Sequence, residues 1–154
     1  MFKATAARDI LLTARHAIDR LRPEDLMGRD FTIHWWAAIH GLRGVGWVVT
    51  EVDTVPKGFP PGQACFRWYK DRIEPDPLFQ ALWNERAGIA KRNEMGVGQD
   101  IRVTIGDPDH EVSYRLDISV PGYSNFTVVS FLDEVADFWD RELFELETTI
   151  GALP

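Results

Sequence analysis

Two of the chain's four histidines stand in HWWAAIH, residues 34 to 40, on either side of a tryptophan pair. Imidazoles so placed could bind a metal, serve a catalytic pocket, or pack inside a helix. On a helix, six residues leave His34 and His40 about 120° apart, so one face cannot bring both to one ion. Helical metal ligands stand at i and i+3 or i+4, as in H-E-x-x-H. No His, Cys, Asp or Glu follows either histidine at those distances. No metal and no cofactor is expected. His40 has Trp36 and Arg43 on its own helical face, with Trp47 one turn beyond. The plain reading is an imidazole packed on Trp36. The sharper reading is a cationic and aromatic wall for a small anionic or planar ligand.

Arg86 is the second candidate. It stands between Leu82 and Ile89, and a buried guanidinium without a partner is costly. It must therefore snorkel, meet a carboxylate, or hold an anion. The string around it, ERAGIAKRNE, resembles the stretch of HEPN-class helical RNases in which an arginine is followed, four to six residues on, by a histidine. Here Lys91 stands where the histidine would be. The general acid/base that such a resemblance implies is missing. A cleft around Arg86, Lys91 and His40 is the enzymatic alternative, and Trp36, His40, Arg43, Arg86 and Lys91 are the candidate ligand residues.

Asp133, Asp137 and Asp140 share a face of the last helix and form a candidate docking surface for a basic protein. Seven acids on that helix, with Arg141 the one local cation, also read as a solvated face. Cys65 lacks a local base and reads as a buried thiol. GLRGVG has the wrong glycine order for a dinucleotide loop. The sequence has no P-loop, no G-x-S-x-G and no cysteine pair.

These residues must be positioned by elements, which periodicity supplies. Residues 5–22 read as an amphipathic helix, stopped by Pro23. From Phe31 to Asp53, Phe31, Trp35, Ala38, Ile39, Leu42, Val45, Val49 and Val52 make one stripe. Gly41, Gly44 and Gly46 oppose a helix by about 1 kcal/mol each, which burial of two large side chains offsets. A continuous helix is expected, with Asp30 as its cap and a second helix close against the glycines. A break to a strand near Gly44 is the rival. Further helices are expected at 62–73, at 77–94 after an Asp76–Pro77 start, and at 131–149. Between the last two the period changes to two. Residues 101–105 and 112–120 read as an antiparallel hairpin turning at Gly106, Asp107 and Pro108, with room for a third strand at Phe126 to Val129.

The fold class is thus mainly α with a β-hairpin (α+β). A single domain, 1–154, forms a bundle of about five helices, with a two- or three-stranded antiparallel sheet between the fourth and fifth.

The chain carries one cysteine, no signal-like N-terminus and no continuous apolar span, so a cytoplasmic location is expected, with no membrane partner. Residues 1–98 hold 14 Lys and Arg against 12 Asp and Glu, and residues 99–154 hold 3 against 12. That acidic third repels phosphate backbones and disfavours nucleic acid. Six tryptophans and nine phenylalanines exceed what a core of this size needs. The leading expectation is a non-enzymatic binding or interaction protein, homodimeric through the glycine-lined helix with Trp36, Trp47 or Trp83 near the interface. The alternatives are a small nucleotide- or RNA-handling enzyme, and an acidic inhibitor-like protein docking a basic partner through its C-terminal helix.

Overall fold

The computed structural model describes residues 2–23, 26, 28–54, 61–92, 95–103 and 110–151, without the side chains of 61, 90–92, 98–103, 110–113 and 151. Among these residues the chain is mainly helical. Helix α1 spans Thr5–Asp19, α2 Gly28–Val48, α3 Pro61–Trp68, α4 Pro77–Arg92 and α5 Val128–Gly151. Two π-helical turns, Val49–Asp53 and Tyr69–Ile73, extend α2 and α3. Strands β1 (Val97–Val103) and β2 (His110–Leu116) pair antiparallel, from Val97 opposite Leu116 to Val103 opposite His110. The expected turn at Gly106, Asp107 and Pro108 lies outside the described residues.

Two expectations need correction here. The third strand at Phe126 to Val129 is not formed. Thr127 and Ser130 make a reciprocal capping box instead: Thr127 Oγ1 accepts from the Ser130 N–H at 3.1 Å, and Ser130 Oγ accepts from the Thr127 N–H at 2.8 Å. That box starts α5 at Val128. Asp30 is not a cap either, since α2 begins at Gly28 and Asp30 sits in its first turn. A carboxylate there still favours the positive end of the helix. The Asp76–Pro77 start of α4 is as the sequence predicts, with Asp76 Oδ1 accepting from the Leu78 N–H at 2.8 Å.

Helix α2 runs through the middle of the molecule and packs on α1, α4 and α5. Trp35, Ala38, Ile39, Leu42, Val45 and Val49 of its stripe are fully buried. Val52 breaks the pattern at 42 % exposure. The π turn is the reason. Its wider i→i+5 closure rotates each residue by less than an α-helix does, so Asp53 rather than Val52 follows Val49 onto the inner face. Asp53 is 8 % exposed and serves another helix. Its Oδ1 and Oδ2 accept from the Ala6 and Ala7 N–H groups, each at 3.0 Å. Helix α1 has no capping side chain of its own, so a carboxylate 46 residues away supplies the cap.

Gly41 and Gly46 of α2 are filled from within the same chain. A Cβ on Gly41 would meet Ala14 of α1 at 2.9 Å, and one on Gly46 would meet Tyr69 at 2.5 Å and Trp139 at 3.0 Å. The expected close helix partner is therefore α1. No helix among the described residues is long and apolar enough to cross a membrane.

Candidate functional site

The outward face of α2 carries Trp36, His40, Arg43 and Trp47 at spacings of four, three and four. Helix α4 lies beside it. Between them is an open groove of about 310 Å³ lined by His40, Arg43, Gly44, Trp47 and Arg86. Three of the five expected ligand residues thus line one site. Trp36 does not line it and packs partly buried against the core. The Lys91 side chain lies outside the described residues.

Arg43 is the centre of the groove. Its guanidinium carbon stands 3.8 Å from the centroid of the Trp83 ring and 5.2 Å from that of Phe79. Such cation–π stacking fixes a planar fork, and the Tyr69 hydroxyl accepts from one of its N–H donors. Its Nε is buried without a hydrogen-bond partner, and so is Trp36 Nε1 on the same face of α2. Burial lowers the Arg43 pKa, the Tyr69 hydroxyl partly opposes this, and Arg86 adds to it. The group stays cationic, as guanidinium does in proteins. Arg86 is exposed rather than part of the apolar stripe. Among the described residues it forms no ion pair, so of the expected arrangements the exposed, snorkelled side chain fits and the salt bridge is not seen. Burial and the nearby Arg86 charge hold His40 below the ordinary imidazole value, so at neutral pH its ring is uncharged. Trp47 leaves 59 % of its surface in solvent and Trp83 42 %.

The residue that sequence reasoning passed over is Glu85. Leu78, Leu82, Glu85 and Ile89 form one stripe at spacings of four, three and four, and that spacing is the signal that could have found it. Glu85 is 7 % exposed. Its Oε1 accepts from Trp35 Nε1 at 2.8 Å, and its Oε2 accepts from the Gly96 N–H at 2.8 Å. It ties α2 and α4 to the entrance of β1. Burial raises its pKa, partly opposed by the Trp35 and Gly96 hydrogen bonds. A cleft of about 330 Å³ beside it is lined by Asn84, Asp117, Ser119 and Ile118, among others.

The expected docking face is occupied from within. Arg22 forks onto Asp133 at 2.8 and 3.1 Å, and Arg15 reaches Asp137 at 2.8 Å and also Asp140. Arg8 binds Glu147 at 2.9 and 3.1 Å, with Asp140 at 3.7 Å. Arginines seven residues apart on and just after α1 thus meet acids seven residues apart on antiparallel α5. The expectation that Arg141 alone answers these acids fails because α1 packs on α5. Arg141 itself reaches Glu134 at 3.6 Å, its one ion pair among the described residues.

Among the described residues no group of three or more His, Cys, Asp or Glu could hold a metal ion. Comparison with known proteins adds no relative: no family model, no curated protein and no solved structure matches the chain.

Proposed function

We propose that this chain is a binding protein whose groove between α2 and α4 takes a small anion. The observation that carries the reading is the pair Arg43 and Arg86. They stand in one groove with no carboxylate paired to either among the described residues. Elsewhere in the same acidic molecule, Arg8, Arg15, Arg22 and Arg72 are each matched to acids. Guanidinium groups without an ion-paired carboxylate, beside exposed indole, have the composition of a recognition site for negative charge.

Turnover is less well supported than binding. Among the lining side chains only His40 can exchange a proton near neutral pH, and a nucleotide- or RNA-handling enzyme on this groove would lack a second such group. Self-association through α2 loses Gly41 and Gly46 as its support, because Ala14, Tyr69 and Trp139 of the same chain fill them. It keeps the exposed Trp47 and Trp83. Docking of a basic protein on Asp133, Asp137 and Asp140 would have to displace Arg22 and Arg15.

The test is a thermal-shift screen of small organic and inorganic anions on the full chain, repeated on Arg86→Gln. A ligand at a hundred times its Kd stabilises the fold by about 2.7 kcal/mol, so binders raise Tm in a concentration-dependent way. The rise should shrink in Arg86→Gln. A flat screen overturns the reading. Sedimentation at micromolar concentration separates it from self-association: a dimer unchanged by Arg86→Gln but lost in Trp47→Ala would favour the latter.

A further inference from the structure

Resting on the anion reading, we infer that the groove's ligand is a flat aromatic carboxylate, its carboxylate held by Arg86 and Arg43 and its ring laid against Trp47. Four features converge on that class.

The first is the absence of backbone donors. Residues 40–47 lie inside α2 and Arg86 inside α4, where backbone N–H groups are engaged in helical hydrogen bonds. Phosphate sites draw on helix N-termini or on loops of outward-facing amides, and this groove is walled by mid-helix segments. Its donors are side chains alone.

The second is their shape. Both cations are guanidinium forks, which match the two oxygens of a planar carboxylate. Arg43 is already flattened against Trp83 at 3.8 Å, so its donor edge is oriented before a ligand arrives.

The third is unmet demand. Arg43 Nε is buried without an acceptor beside the groove that Arg43 lines. Buried donors left unpaired carry a desolvation penalty that an acceptor oxygen removes.

The fourth is the apolar surface and the size. The Trp47 indole is more than half exposed beside the two arginines, a stacking platform for a ring. About 310 Å³ is at the small end of ligand sites. It suits a one- or two-ring acid and is too small for a dinucleotide.

The experiment titrates the full chain by calorimetry and by quenching of tryptophan emission. The probes are 2-naphthoate, its neutral counterpart 2-naphthylmethanol, the non-planar cyclohexanecarboxylate, inorganic phosphate and adenosine monophosphate. The expected result is saturable 2-naphthoate binding, at least about tenfold tighter than either naphthylmethanol or cyclohexanecarboxylate. Arg86→Gln and Trp47→Ala should each weaken it about tenfold or more. Both positions are exposed, so far-ultraviolet circular dichroism should show both variants folded. Arg86-dependent binding of phosphate or of the nucleotide without naphthoate binding overturns this inference while leaving the anion reading in place. Equal affinity for 2-naphthoate and cyclohexanecarboxylate also overturns it. Failure of every anion overturns both.

Discussion

Gly41 of α2 faces Ala14 of α1 so closely that an added Cβ would lie 2.9 Å from the Ala14 Cβ and 3.4 Å from its Cα. Gly44, on the next turn, would meet only a methyl of Ile10, at an ordinary 3.7 Å. The same substitution should therefore have opposite signs at the two positions. Gly41→Ala should lose about 1–3 kcal/mol by overpacking. Gly44→Ala should gain up to about 1 kcal/mol from helix propensity. Urea denaturation measures both, and stabilisation by Gly41→Ala would show that α1 does not approach α2 in this way.

The π turn after Val48 makes a second contrast. Val49 is fully buried and Val52 is not, although an uninterrupted α-helix would place both near the core. Val49→Ala should cost about 2 kcal/mol, and Val52→Thr should change stability by no more than about 0.5 kcal/mol. Equal losses at both sites would mean that the helix continues without the phase change.

The existence of the helices was legible because buried side chains recur every three or four residues through four long segments. What was not legible depends on geometry that periodicity does not carry. A single wide turn moves Asp53 inward in place of Val52, and no local pattern announces it. Glu85 sits on the α4 stripe, yet only the packed fold shows that Trp35 and Gly96 satisfy it. Arg8, Arg15 and Arg22 repeat every seven residues, as do Asp133, Asp140 and Glu147, but their match requires knowing that α1 and α5 are antiparallel neighbours. For the groove, spacing alone gathers His40, Arg43 and Trp47. The arrival of Arg86 opposite them depends on which helix packs beside α2.

Removing Asp53 removes the cap of a helix 46 residues upstream. Asp53→Ala should cost about 1–2 kcal/mol, the upper part of the range for lost helix caps, and α1 amides should lose hydrogen-exchange protection before those of α4. Uniform loss of protection across the molecule would show that Asp53 does not act on α1 in particular.

Two glutamates, Glu85 buried and Glu147 half-buried, should give the stability profile slopes of opposite sign. Burial raises the Glu147 carboxyl, but the Arg8 guanidinium and the Ala4 N–H outweigh it and leave it below the ordinary carboxylate range. Its stabilisation is full above the unfolded value and is lost as pH falls through the folded one. Glu85, raised by burial, does the reverse: stability falls as pH climbs from the unfolded value through the higher folded one. Urea midpoints from about pH 2 to 5 should rise less steeply in Glu147→Gln than in the parent chain, and those from about pH 4 to 7 more steeply in Glu85→Gln. Glu147→Gln should also cost about 1–2 kcal/mol at neutral pH, where a charged hydrogen-bonded pair is lost. Parallel shifts of both variants at every pH would refute the assignment.

His40 should couple the groove to pH. Burial and Arg86 keep its imidazole uncharged at neutral pH. A bound anion favours the imidazolium, so affinity for an anion should strengthen as pH falls below neutrality, with proton uptake on binding. Calorimetry in two buffers of different ionisation enthalpy measures that uptake. In His40→Gln the pH dependence should flatten below neutrality, and an unchanged profile would remove His40 from the site.

The first turn of α1 and the end of α5 are held to each other across 143 residues, with the Ala4 N–H donating to Glu147 Oε1 at 2.9 Å. This has a consequence for how the chain is made. Translation releases α1 first, and its arginines and leading amides then have no α5 to meet. A nascent chain can dock α1 on α2 as soon as both have left the ribosome, but the seam between α1 and α5 closes only once residue 147 is available. Because so long a loop must be ordered before that contact forms, translation arrested within α5 should leave a docked but open bundle, with α1 the segment most accessible to protease.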